Sequence, residues 1–310
     1  MTQARFVHIV DDVAELEGLA DGPVMLTALD GFLDAGSASA LAVGHLLESS
    51  PGRVVASFEV DEFYDYRARR PPMSFVRDHY SDYEAPRLVV RLMHDDGRTP
   101  YLLLTGPEPD VRWEAFAEGV RAVIESFDVR LTVSMGSVPM AVPHTRPVQV
   151  TNHATSKRLL VADNVWRGEI RIPSSAQSLL ELRLGEWGHD ATGFVAHIPH
   201  YVAQFGYPEA AAAMLRQVGS VTGLQWDTAA LEAAGNERQA EIGEQVAESE
   251  EVRAVVAGLE QQYDAFHSGG PNLLGDEDGS MPDASELPTG EELGAQFEQF
   301  LAGLDQTDED

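Results

Sequence analysis

The sequence predicts an α/β protein: a mostly parallel sheet flanked by helices, then a C-terminal helical hairpin and an acidic tail. Three observations predict it. Continuous apolar runs of strand length alternate with longer segments whose apolar residues recur every three to four positions. The hydrophobic fraction is 44% of 310 residues, enough for a sizeable core. After His267 the composition changes abruptly, with no Lys or Arg before the end at Asp310.

Arg5 to Val10 reads as a short strand, and Val24 to Leu29 as an apolar one after the breaker Gly22-Pro23. A turn at Asp30-Gly31 precedes a helix over Ala35–Leu47, with Ala38, Leu41, Ala42 and Leu46 at helical spacing and Ser49-Ser50-Pro51-Gly52 ending it. Strands follow at 53–60, 88–93 and 101–105, with Asp95-Asp96-Gly97 turning between the last two. The segment 111–127 is an amphipathic helix, with Phe116, Val120, Val123, Ile124 and Phe127 on one face. Strands at 129–135 and 148–152, a helix over 176–187 and a buried strand at 193–198 continue the alternation. Pro208 opens a helix that runs to about Val221.

The chain therefore divides into an α/β domain (1–226), a helical hairpin packed on it (227–267) and an acidic, largely disordered tail (268–310). The hairpin breaks near Glu248-Ser249-Glu250. Within the tail, Thr289-Gly290-Glu291-Glu292 fits a capping box, and Leu293, Phe297, Phe300, Leu301 and Leu304 share one helical face, giving a short helix near 290–304. A helix so short needs something to dock on; its own body, or a sibling subunit, is the preferred reading.

Cysteine is absent, which excludes disulfides, thiolate catalysis and Cys-ligated zinc. A net charge of −30 makes nucleic acid and anionic membranes poor partners, and the one dense basic cluster, Arg67, Arg69 and Arg70, is too short for a duplex-binding face. No run of eighteen apolar residues and no leader-like N-terminus is present, so a cytoplasmic location is expected.

Four constellations bear chemistry-capable side chains. Asp34-Ala35-Gly36-Ser37 sits at a strand-to-helix junction, where backbone N–H groups favour an anion, or where Asp34 or Ser37 simply caps the helix. Neither a GxGxxG nor a Walker A pattern accompanies it, and no cofactor is expected. The second runs Glu59-Val60-Asp61-Glu62-Phe63-Tyr64-Asp65-Tyr66-Arg67, then Arg69-Arg70-Pro71-Pro72. Paired carboxylates there suit acid–base work, yet they equally salt-bridge to the arginines and shape a subunit contact, the reading preferred. In the third, Gly136-Ser137 and Pro143-His144-Thr145-Arg146-Pro147 follow a strand. His144 and Arg146 either bind an anionic group or hold backbone carbonyls of a Pro-bracketed loop. The fourth is His197-Ile198-Pro199-His200-Tyr201, where Pro199 breaks the helical spacing that two metal-binding histidines need; no metal site is expected. Ser137, His144 and His200 with Asp34 or Glu62 also contain the parts of a triad, which only geometry defines.

Taken together and in order, these segments resemble one family. Gly31-Phe32-Leu33-Asp34-Ala35-Gly36, Asp61 to Tyr66, Arg69 to Pro72, Gly106-Pro107-Glu108-Pro109 with Trp113, Pro143 to Pro147 and Pro199-His200-Tyr201 are similar to the motifs of the bacterial, actinobacterial-type branch of the proteasome assembly chaperone 2 family. The resemblance spans about residues 5 to 266. It implies an α/β fold of phosphorylase/hydrolase-like type and a homo-oligomer, a trimer in preference. For eukaryotic relatives it implies help in assembling proteasome α-subunits, so proteasome-related subunits are the expected partners. Chaperones of this group engage proteasome pockets through a C-terminal hydrophobic-Tyr-any-residue tail. This chain ends Thr307-Asp308-Glu309-Asp310, so that route is not expected.

Two functions compete at this point. One is a non-catalytic interaction or assembly protein, resting on the resemblance and on the lack of a complete catalytic motif. The other is an enzyme acting on a small anionic or nucleoside-like substrate, with Asp34, His144, Arg146 and His200 near the strand ends.

Overall fold

The computed structural model describes residues 5–268, except 12, 20, 32, 33, 162–168 and 170. The expected tail helix near 290–304 lies outside the described residues. So do Phe32 and Leu33 of the first motif.

In chain order the elements are β1 (Val7–Ile9), β2 (Val24–Asp30), α1 (Ala38–Ser49), β3 (Arg53–Phe58), β4 (Ser74–Val76), β5 (His79–Ser81), β6 (Val89–His94), β7 (Pro100–Pro107), α2 (Trp113–Ser126), β8 (Leu131–Met140), β9 (Val150–Ala154), α3 (Ala176–Glu186), β10 (Ala191–Pro199), α4 (Pro208–Thr222), α5 (Ala229–Glu248) and α6 (Glu250–Ser268). Eight strands form one sheet in the order β1-β3-β6-β7-β2-β8-β10-β9. Its centre, β7-β2-β8-β10, is parallel. Antiparallel strands extend it on both sides: β6, β3 and β1 beyond β7, and β9 beyond β10.

Both faces of the centre are covered, which explains why its strands are continuous apolar runs rather than alternating ones. Neighbours along β2 point to opposite sides. Leu26 and Ala28 join Leu103, Val133, Ala196 and Ile198 under α1 and α4, and this cluster continues through Leu231 and Ile242 of α5 to Val256 and Leu259 of α6. Met25 joins Leu102, Leu104 and Val90 on the other face, under α2 and α3. Phe58, Phe63 and Phe116 pack ring against ring there at 5.5–6.2 Å.

Local chemistry sets the helix ends. Pro208 sits in the first turn of α4, and Gly223, with φ of 79°, ends it. Ser175 and Ser178 form a reciprocal capping pair at the start of α3. Between β6 and β7 the buried Asp95 closes the turn, accepting from the Thr99 amide at 2.6 Å and from the Gln225 amide at 2.9 Å.

The β4–β5 hairpin was not foreseen. Its apolar residues, Phe75, Val76 and Tyr80, are exposed, and its two-residue turn is Arg77-Asp78, with Arg77 at φ of 58°. That turn carries none of the Asn-Gly or Asp-Gly chemistry by which hairpins are read from sequence.

Candidate functional site

The parallel strands β2, β7, β8 and β10 end along one rim, where an open α/β sheet places its ligand-facing loops. Contacts in series link the four sequence constellations along it.

Asp34 stands at the start of the β2–α1 connection. Its carboxylate accepts from the amides of Ser39 (2.7 Å) and Ala40 (3.0 Å), so it caps α1. Ser137 Oγ, from β8, lies 2.9 Å from Asp34 Oδ1 and 2.7 Å from the Ala35 carbonyl, which share its hydrogen. The Asp34–Ser137 pair is therefore a strap between two parallel strands. Gly36 has φ of 62°, its amide donates to the Ala203 carbonyl, and a Cβ there would meet Tyr207 Cβ at 2.8 Å. The same turn is thus sealed against the segment after β10.

The acids of the second constellation do not pair with the arginines beside them, as the sequence suggested. They serve closer or farther partners. Asp61 accepts from Tyr66 Oη at 2.6 Å, a bond that pushes the Tyr66 hydroxyl up to about 12. Glu62 pairs with Arg112 at 3.0 Å. Asp65 accepts from the Arg67 and Ala68 amides, closing a local turn. Arg69 instead reaches inward. It donates to the carbonyls of Asp30 (3.3 Å) and Glu108 (2.5 Å), pairs with Asp110 at 2.7 Å and lies over the Tyr64 ring. One guanidinium thereby clamps the ends of β2 and β7 to the 60–70 loop. Asp30, at that strand end, is pushed up by burial and by the Asp34 charge, with Arg69 opposing. Arg70 is exposed and has no ion-pair partner among the described residues.

On the far side of the rim, the Tyr201 hydroxyl accepts from the His144 amide at 2.8 Å and lies 2.7 Å from His144 Nδ1. His144 is 4% exposed, and burial pulls its imidazole down, with the Glu260 charge opposing. Arg146 makes a two-point pair with Asp264 (2.8 and 2.6 Å) and reaches Glu260 at 3.4 Å; Thr145 also donates to Glu260. The loop is therefore held on α6. Its arginine is occupied by the helical hairpin and holds Asp264 below the usual carboxylate range. His200 begins the turn after β10. Its Nδ1 donates to the Met140 carbonyl at 3.4 Å, while its buried Nε2 has no partner among the described residues. Burial lowers both His200 and His197.

The structure thus links the Asp61, Asp34 and His144 stretches through Arg69, Ser137, Ala203 and Tyr201. Among the described residues no bond joins Asp34 directly to Asp61 or His144, and Ser137 pairs with an aspartate rather than a histidine. No group of three potential metal ligands occurs among the described residues.

The sequence named Tyr201 and Glu108 only as parts of motifs, and it left out Glu209, Glu260 and Asp264. Glu209 is pushed up by burial at the start of α4, where Gln239 of α5 donates to it at 2.7 Å. Glu108 accepts from the Ala176 amide at 2.6 Å, tying the end of β7 to α3. Tyr201 stood next to a flagged histidine. The acids of α5 and α6 are indistinguishable in sequence from solvated ones.

The family model described as "PAC2 family" matches residues 28–246. A solved structure of the Mycobacterium tuberculosis protein Rv2714, of unknown function, is 44% identical, with a TM-score of 0.80 over 87% of this chain and 94% of that one. A Corynebacterium glutamicum protein of unknown function is 35% identical, with a TM-score of 0.79 over 84% and 97%. The M. tuberculosis proteasome-assembly chaperone homologue Rv2125 is 29% identical, with a TM-score of 0.68 over 75% and 99%. No curated protein matches.

Proposed function

The chain belongs to the PAC2 family, and from that premise we propose that it is a non-catalytic, assembly-chaperone-like protein whose partners are proteasome-related subunits. The observation that carries this reading is the similarity to the proteasome-assembly chaperone homologue Rv2125, which extends over three quarters of this chain and nearly all of that one. The rim adds physical support. Asp34, Arg69, His144 and Arg146 hold strand ends and loops in place, so the surface they build is firmly set. A firmly set surface keeps low the ordering cost of binding another protein. We also read the functional unit as a homo-oligomer, a trimer, in the cytoplasm. Tyr66, in the 60–70 loop, is suited to a subunit contact.

The test is affinity capture of the full chain under gentle conditions, followed by mass spectrometry. Enrichment of proteasome subunits is expected, and their absence across replicate captures would overturn the chaperone reading. Light scattering tests the trimer separately: the expected mass is three times 33.7 kDa, and a monomer at working concentration rules it out.

A further inference from the structure

Among the described residues, nothing covers the exposed β4–β5 hairpin. Its strands pair only with each other, and a lone two-stranded hairpin is marginal in water. Phe75 and Tyr80 are cross-strand partners on one face, 62% and 72% exposed, their rings edge-on at 5.1 Å. Arg67, Arg70, Arg77 and Arg87 flank it in sequence, all exposed and without ion-pair partners among the described residues. Residues 67–91 hold six arginines against three acids, in a chain of net charge −30. An apolar face with basic neighbours, on an acidic molecule, fits a ligand that is apolar on one side and acidic on the other.

The chain carries such a segment. Leu293, Phe297, Phe300, Leu301 and Leu304 fall on one helical face, among Glu291, Glu292 and Glu298. Residues 269–310 hold twelve acids and no Lys or Arg. The reach is also adequate. His267, near the end of α6, bonds Gln149 beside β9, five strand spacings from β6, where the hairpin rejoins the sheet. Five spacings are about 24 Å. A random coil as long as the Gly- and Pro-containing connection 269–288, roughly 20 residues, has a root-mean-square span of about 25 Å. We propose that residues 289–304 dock on the hairpin of their own chain, their apolar side on Phe75 and Tyr80 and their acids toward the four arginines.

Hydrogen exchange on the full chain tests this. Amides of residues 74–83 are expected to exchange about tenfold more slowly than in a Phe297→Asp/Phe300→Asp variant. An Arg70→Glu/Arg77→Glu variant, its far-UV circular dichroism unchanged, is expected to lose the same protection. A photo-crosslinking residue at Gln299, in a mixture of isotope-labelled and unlabelled chains, is expected to join hairpin and tail of the same chain. Equal exchange in wild type and tail variant overturns the proposal. Protection that grows with protein concentration and survives the tail substitutions overturns it in favour of a second copy. Cross-links between labelled and unlabelled chains overturn docking within one chain.

Discussion

Asp34 shows how a chemistry-capable residue is used structurally in this protein. Its carboxylate caps α1 and accepts from Ser137, so Asp34→Ala removes a helix cap and one of the two acceptors of the buried Ser137 hydroxyl. The expected loss is about 1–2 kcal/mol, read from urea denaturation. Asp34→Asn keeps acceptor capacity and loses less; equal losses would discredit the capping role. The buried histidines set a pH dependence. His144, His197 and His200 are all pulled below the ordinary value of 6.5 by burial. Below 6.5 the unfolded chain therefore binds more protons than the folded one. Their contribution is complete above 6.5 and is lost as pH falls through the folded values, by at most about 1.4 kcal/mol per pH unit for each group. Wild type is expected to lose more stability than a His200→Gln variant between pH 7.5 and 5.5. Parallel curves would remove His200 from the explanation. Residue identities were legible in sequence, but Asp34 was readable both as a helix cap and as an anion site, because which amides its carboxylate meets depends on how the 34–40 turn folds.

At the scale of elements, packing decides what propensity leaves open. Phe116 stacks with Phe58 and Phe63 on the α2 face, and Phe116→Ala is expected to cost about 3–5 kcal/mol in chemical denaturation. A loss under 1 kcal/mol would mean the cavity collapses freely. The Gly36 turn must have positive φ and has no room for a Cβ, so Gly36→Ala is expected to cost about 1–3 kcal/mol and to loosen the 203–207 segment it bonds. Unchanged exchange at those amides would contradict that coupling. Strands and helices with clear periodicity were legible to within a few residues, α2 and the α5–α6 break among them. The β4–β5 hairpin was not, because a strand is recognised by one buried face and this pair has none.

For the molecule as a whole, net charge governs association. The proposed trimer gathers three copies at −30 each, so like-charge repulsion opposes it and salt relieves that repulsion, the screening length being about 10 Å at 0.1 M. Light scattering is expected to show the oligomer fraction rising between 0.05 and 0.5 M NaCl. A fall instead would show that attractive ion pairs dominate the interface.

The sequence by itself determined the alternation of strands and helices, the two-sided apolar core and the helical C-terminal region, since the periods of apolar residues are local and survive without a partner. Family membership was also legible, in six short motifs in order. Only the tertiary structure decided that the parallel centre carries antiparallel edges, that Arg69 clamps two strand ends, and that Arg146 pairs with Asp264 and Glu260 of α6. Those outcomes join residues dozens to more than a hundred positions apart, and a side chain's partner is set by which elements pack together, not by its neighbours in the chain.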